Sequence, residues 1–180
     1  MSKTIGKSAT ILLVSGELDK AIPAFEVALA LASMGEKVNM WFIFYGVNSI
    51  KKPRSLLYRF KKLFKKIQPA PGRVLETDLI LQRFVPFLNS HSNELLPLSQ
   101  LNYLGVGSRF VKYIMRRKGA PSLESLVKEA DNLGVTFKIC QPCVDILMLD
   151  TENDLIVKAE VSGVSSYAVD VSKSHYNVTF

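Results

Sequence analysis

The sequence predicts an α/β protein built on a mostly parallel sheet. Three observations carry this. A short apolar run, Ala9 to Val14, closes on Ser15-Gly16 and has the length and flanks of a strand buried on both faces. A helical stretch follows within a few residues. A second strand-like run rich in aromatics, Val38 to Phe44, comes directly after it. Strand, helix and strand joined by short connections form a βαβ unit, which sets the two strands parallel through a right-handed crossover.

Each element follows from local chemistry. Asp19 is placed to cap a helix beginning at Lys20. Lys20 to Met34 carries Ala21, Ile22, Phe25, Val27, Ala28 and Leu31 and is apolar nearly all round. Such a helix is buried on more than one side, which points to a homo-oligomer. Gly35 suits the left-handed residue after the last turn. Tyr45-Gly46 ends the second strand. Residues 48–104 are less regular. Arg54 to Ile67 has helical periodicity, Pro69, Pro71 and Gly72 break it, and Arg73 to Leu88 suits another helix. Asn89 to Pro97 reads as a polar loop. Gly105 and Gly107 mark a turn before a helix from Ser108 to Lys118 that ends at Gly119. Ser122 caps the next helix, with Ser125 where a capping box would carry Glu or Gln, and Gly134 stops it after Leu133. Val135 to Ile139 is a strand leading into Cys140, followed by a short helix from Val144 to Leu149. A strand from Ile156 to Val161, a helix from Ser165 to Val171 and a strand from Tyr176 to Phe180 complete the pattern.

A length of 180 residues favours one domain spanning 1–180 and suffices for a core without disulfide staples. Hydrophobic residues make up 48%, which excludes a disordered chain. The longest apolar candidate, Val38 to Val47, is interrupted by Asn39 and falls well short of the roughly 18 residues of a membrane span. Met1 to Lys7 is polar and lacks the apolar core of a secretory signal, so a cytoplasmic protein is expected. The net charge is +7, and its excess is local. Lys51, Lys52, Arg54, Arg59, Lys61, Lys62, Lys65 and Lys66 fall in one stretch with no acid among them. Leu56, Phe60, Leu63 and Ile67 share a helical face there, as in a basic amphipathic helix for a membrane surface or acidic partner. A surface helix packing its apolar stripe on its own domain gives the same pattern. The rest of the chain is near neutral, so no nucleic-acid partner is expected.

The two cysteines stand together as Cys140-Gln141-Pro142-Cys143. In a cytosolic chain this spacing points to redox, thiol or metal chemistry. A tetrahedral zinc site needs about four ligands, and His91 and His175 lie far off in sequence, so no metal is expected. Neither a Walker A loop nor G-x-G-x-x-G is present, so no nucleotide cofactor is expected. In open parallel sheets ligands bind beyond the carboxyl ends of the strands. Three loops meet that condition: Ser15 to Lys20, Tyr45 to Asn48, and Cys140 to Cys143. Their candidate substrate-binding residues are Gly16, Asp19, Lys20, Tyr45 and Gly46. Gly107 joins them because Gly105-Val106-Gly107 can hold an anion on backbone N–H groups, an ordinary turn being the alternative. Cys140, at a strand end and before a helix turn, is expected to have a lowered pKa, with a buried inert cysteine as the alternative. Lys20 is a source of positive charge for that thiolate or a solvated lysine, and Asp145 a first-turn helix acid. Cys143 is expected to resolve or share what Cys140 carries.

Ser15-Gly16-Glu17-Leu18-Asp19-Lys20-Ala21, then Met34-Gly35-Glu36-Lys37-Val38 leading to Phe42-Ile43-Phe44-Tyr45-Gly46, resembles the start of DsrE/DsrF-like sulfur-carrier proteins, in their peroxiredoxin-like branch. Gly105-Val106-Gly107, Ser122-Leu123-Glu124-Ser125-Leu126, Gly134-Val135, Cys140 and Gly163-Val164 continue the match in order. The resemblance covers about two-thirds of the chain and fails at about 50–97, read as a basic helical insertion. It implies a flavodoxin-like or Rossmann-like three-layer sandwich without cofactor, assembled as a homo-oligomer, most often a trimer. It also implies sulfur relay, with a persulfide on Cys140 passed to a small acceptor protein of the TusA type. Gln141-Pro142-Cys143 departs from the methionine-rich stretch of that branch and favours a two-thiol variant. The expected function is therefore a sulfurtransferase or sulfur carrier. The alternatives are a dithiol–disulfide oxidoreductase using Cys140 and Cys143, or a non-catalytic module docking through the basic helix 54–67.

Overall fold

Ala9, Ile11 and Leu13 are fully buried on one face of β1 (Ser8–Leu13), and Thr10 is buried on the other. A strand covered on both sides in this way belongs in the interior of a parallel sheet. The computed structural model, which describes residues 7–53, 93, 96–98 and 106–180, places it there. β2 (Lys37–Phe42) pairs with β1 in parallel from Ala9↔Val38 to Leu13↔Phe42. β3 (Thr136–Cys140) pairs with β2 up to Phe42↔Ile139, and the short β4 (Glu160–Ser162) lies outside β3. β5 (Tyr176–Thr179) takes the other side of β1. The order is β4-β3-β2-β1-β5, and every pairing is parallel.

β4 is later and shorter than the expected strand from Ile156 to Val161. The reason is competition for backbone partners. Leu155 forms an antiparallel bridge with Lys51, and the Ile156 N–H donates to the Ile50 carbonyl at 2.9 Å. This stretch ties down the chain after β2 and joins the sheet only from Glu160.

Helices cover both faces. α1 (Leu18–Ser33) buries Leu18, Ala21, Ala24, Phe25 and Ala28, a stripe of helical period. Its alanines let the helix approach the sheet closely enough for the Phe25 ring to stand 6.1 Å from Phe42 and 6.4 Å from Phe137. Ile22, Val27, Leu29 and Leu31 are only half-buried. α1 starts two residues before the sequence expectation, so Asp19 is not the cap. Glu17 holds the N-cap position without a side-chain cap bond, and Asp19 sits in the first turn, where the helix dipole favours a negative charge. Gly35, at φ +81, ends the helix.

α2 (Val106–Arg117) includes Gly107, so Gly107 is a first-turn helical residue and not a turn glycine. α3 (Leu123–Asn132) packs on α1 through Leu123, Leu126, Val127 and Ala130. Its N-cap is Ser122, whose Oγ accepts a hydrogen bond from the Ser125 N–H at 3.2 Å. Ser122→Ala is expected to cost about 1 kcal/mol, read as a lower urea midpoint at unchanged slope. A loss within error of zero would show that the cap bond contributes nothing net.

α5 (Val164–Lys173) lies on the opposite face. Trp41 alternates with Met40 and Phe42 along β2 and so points away from α1. Its Nε1–H donates to Asp170 Oδ2 at 2.9 Å, and Tyr167 meets its ring edge-on at 5.5 Å. Lys138, the neighbour of Trp41 on β3, donates to the same Asp170 oxygen at 2.7 Å. The result is a three-layer α/β sandwich of the flavodoxin-like or Rossmann-like class. The basic helix 54–67, the helix expected at Arg73 to Leu88, His91 and most of the segment 50–97 lie outside the described residues. Among the described residues no helix is long and apolar enough to cross a membrane.

Candidate functional site: two thiols at the carboxyl edge of the sheet

Leu13, Phe42 and Ile139 are aligned across three parallel strands, so the loops that follow them emerge on one edge. After β2 the chain enters a 3-10 helix (Phe44–Ile50). After β3 it passes directly into a short helix α4 (Gln141–Ile146), with Cys140 as the last strand residue and the N-cap. Pro142 fits the first turn, where its missing N–H is no loss. α4 thus begins three residues before the expected Val144, at the cysteines themselves. Asp145 lies toward its C-terminal end and accepts from Gln141 Nε2 at 3.0 Å, so it is not a first-turn acid.

The first two loops are interlocked at glycines. The Gly46 N–H donates to the Val14 carbonyl at 2.9 Å. A Cβ on Gly46 would collide with the Leu13 carbonyl oxygen and stand 2.7 Å from its carbon. A Cβ on Gly16 would stand 2.7 Å from the Tyr45 carbonyl oxygen. What approaches both glycines is backbone of the same chain, which fixes the position of the 3-10 helix against the end of β1.

That fixing bears on the thiols through Phe44. Phe44 adopts φ +45, a left-handed conformation that costs a non-glycine residue about 1–2 kcal/mol. There its backbone N–H donates to Cys143 Sγ at 3.1 Å. Phe44 and Tyr45 are 52% and 58% exposed, large apolar residues left open at the start of the 3-10 helix. Cys140 and Cys143 are free and buried, while Gln141 and Pro142 between them are exposed.

The Cys140 thiol is pushed above its usual pKa. Burial is the first cause, followed by the charge of Cys143 and by a side-chain hydrogen bond with it. The backbone N–H of Cys143 acts in the opposite sense and is outweighed. This overturns the expected lowering at Cys140. The helix that follows is short, and the strand end is inside the core, so the cost of burying a thiolate dominates.

The structure therefore gathers Cys140, Cys143, Tyr45, Gly46 and Gly16 at one edge. Asp19 and Lys20 are exposed on α1, and Lys20 does not figure among the groups that shift the Cys140 thiol. Gly107, within α2, has no hydrogen bond to the thiol-bearing turn among the described residues. Among those residues no three His, Cys, Asp or Glu side chains are grouped as metal ligands would be. Sequence reasoning missed Phe44, because a backbone dihedral imposed by tertiary contacts leaves no mark in residue type. Two adjacent thiols, one holding a backbone donor, can perform nucleophilic exchange at sulfur.

Comparison with known proteins agrees in fold. The E. coli ychN protein superposes with a TM-score of 0.51 over 97% of this chain and 99% of its own, at 10% identity. The Bacillus subtilis (strain 168) protein called "Uncharacterized protein YrkE" is 25% identical over 175 residues, covering 96% of both chains. "Sulfur carrier protein DsrE2" of Allochromatium vinosum is 26% identical over 161 residues, covering 89% of this chain and 90% of its own. The DsrE/DsrF/DrsH-like family matches residues 6–84 and 72–179, two stretches that overlap at 72–84, inside the segment read from sequence as an insertion. On these matches and this fold, the chain belongs to the DsrE/DsrF/DrsH-like family.

Proposed function

We propose that this protein is a sulfur carrier whose Cys140-Cys143 pair takes up sulfane sulfur as a cysteine persulfide and relays it to an acceptor thiol. The observation that carries this reading is the pair itself: two free thiols at the carboxyl edge of a parallel sheet, one of them bonded to the Phe44 N–H. Membership of the DsrE/DsrF/DrsH-like family and the 26% identity to a protein named as a sulfur carrier support it.

In the loading step a cysteine thiolate of the pair attacks the outer sulfur of a persulfide, R–S–SH. The S–S bond of R–S–SH breaks, the cysteine becomes Cys–S–SH, and R–S⁻ leaves with the electron pair. In the unloading step an acceptor thiolate attacks the outer sulfur of Cys–S–SH and the cysteine thiolate leaves. No net oxidation occurs in either step. The reading goes with an acceptor protein of the TusA type, a homo-oligomeric, trimeric assembly and a cytoplasmic setting. The exposed Phe110, Tyr113 and Ile114 of α2 are apolar surface suited to such contacts. A second reading, a dithiol–disulfide oxidoreductase, is favoured by the two free thiols standing three residues apart at one turn.

Inorganic polysulfide treatment followed by intact-mass measurement separates the readings. One added sulfur per chain, absent in Cys140→Ser/Cys143→Ser, is the expected result. Loss of two hydrogens with no retained sulfur would favour the oxidoreductase. No mass change in the folded wild type would leave neither, and would point to a non-catalytic module.

A further inference from the structure

A cavity of about 470 Å³ opens between the first turns of α1 and α3 and one face of α2. That is the size of a site for a small organic molecule. α1 leaves the carboxyl end of β1, and α3 leads back to the start of β3, so both helices begin on the edge of the sheet that carries Cys140. Both also touch the 3-10 helix, whose Phe44 N–H is bonded to Cys143 Sγ. The cavity and the thiols therefore share one edge, although neither cysteine is among the described lining residues.

The wall is charged mainly in one sense. Arg109, Lys112 and Arg116 recur at helical spacing on one face of α2, and all three line the cavity. The acid among the described lining residues is Glu124, which Lys128 pairs at 2.7 Å. Leu18, Ile22 and Leu123 add apolar surface. Asn93 gives an independent sign of a ligand. It lines the cavity, is 2% exposed, and its Oδ1 has no hydrogen-bond partner. A buried acceptor left without a partner is rare in a folded protein and calls for a donor that the chain does not supply. Sulfate or thiosulfate would satisfy the arginines and leave Asn93 orphaned. A peptide-like acid satisfies both, with carboxylates for the guanidinium forks, an amide N–H for Asn93 Oδ1 and methylene groups for the apolar wall.

We propose that this cavity binds a small carboxylate-bearing peptidic thiol, and that the persulfide of that thiol is the R–S–SH that loads the Cys140-Cys143 pair. The binding half stands on the cavity alone, and the donor half rests on the sulfur-carrier reading. In the loading step the S–S bond of the bound persulfide breaks and its outer sulfur bonds to a cysteine thiolate of the pair. The peptidic thiolate leaves with the electron pair. No oxidant or reductant is consumed.

S-methylglutathione, a peptidic acid whose sulfur cannot be transferred, separates binding from chemistry. By isothermal titration calorimetry it is expected to bind the full chain with a Kd on the order of 0.1 mM. Binding to Arg109→Gln/Arg116→Gln should be about tenfold weaker, the weight of lost hydrogen bonds to charged groups. Both arginines are exposed, so this variant keeps the fold. Adipate has two carboxylates and no N–H, and is expected to bind about tenfold more weakly than S-methylglutathione because it leaves Asn93 without a donor. Adipate or sulfate binding as tightly as S-methylglutathione would overturn the peptidic assignment. Undiminished affinity in the double variant would overturn the location. For the donor half, sulfur uptake from glutathione persulfide and from inorganic polysulfide is followed by intact mass. The ratio of the two loading rates should fall about tenfold in the double variant, and an unchanged ratio would overturn the donor role. Uptake from polysulfide without binding of S-methylglutathione sinks the site and keeps the carrier reading. Binding of S-methylglutathione without uptake from either donor keeps the site and sinks the carrier reading.

Discussion

Gly46→Ala is expected to destabilise the protein by about 3 kcal/mol, at the upper end for overpacking a fixed site. The added methyl would enter the space of the Leu13 carbonyl oxygen and lie 2.7 Å from its carbon. Neither neighbour is a flexible side chain. Leu13 is in register with Phe42 on a central strand, and its carbonyl already accepts from Ile43. Relief therefore requires the 3-10 helix to move off the strand end, which breaks the Gly46 bond to Val14 and withdraws Phe44 from Cys143. Of a total stability of about 5–15 kcal/mol, such a loss is large. Urea unfolding measures it. A change under about 0.5 kcal/mol would show that the loop shifts freely and that the interlock is not what places Phe44.

Asp170→Ala is expected to cost about 2–3 kcal/mol by a different route. One carboxylate oxygen serves both Trp41 Nε1 and Lys138 Nζ, and the side chains of Lys138 and Asp170 are only 15% and 18% exposed. Removing it leaves an ammonium group without its counter-ion beside the Trp41 ring, 5.5 Å from its centroid, and an indole N–H without its acceptor. The remaining solvent contact keeps the cost below that of a fully buried pair. Lys138→Met in the same background should recover part of the loss, because it removes the stranded charge. If the double variant is no more stable than Asp170→Ala, the charge is not what the carboxylate compensates. The measurement is a double-mutant cycle by chemical denaturation.

Much of this architecture was legible in the chain. Ala9 to Leu13 and Val38 to Phe42 announce themselves as strands because β-branched, aromatic and aliphatic residues run without a polar break long enough to suggest a surface. Gly35 and Gly134 mark helix ends because both take positive φ. Ser122 caps α3 for the reason its side chain suggested. The errors have physical causes as well. Asp19 looks like a cap, but the helix starts earlier because the Leu18 N–H finds the Pro97 carbonyl at 2.7 Å, a partner that no local pattern reveals. Ile156 to Val161 looks like a strand, but its first residues are claimed by Ile50 and Lys51. At the site, the spacing of Cys140 and Cys143 was plain, whereas their ranking was not. Proximity to a helix start suggested a lowered Cys140, and burial decides otherwise. The donor to Cys143 lies 99 residues away in sequence.

The pairing of β1 with β5 imposes an order on folding. β2 reaches β1 across one helix, so Ala9↔Val38 closes a short loop and forms cheaply. Ala9↔Tyr176 closes nearly the whole chain. During vectorial synthesis the outer edge of β1 stays unpartnered until β5 has been made, while β2 and then β3 assemble on its inner side. The thiol-bearing edge, built from the ends of β1, β2 and β3, is made before β5. The nascent protein thus has its thiols in place while one flank of its sheet is still open to whatever strand arrives first.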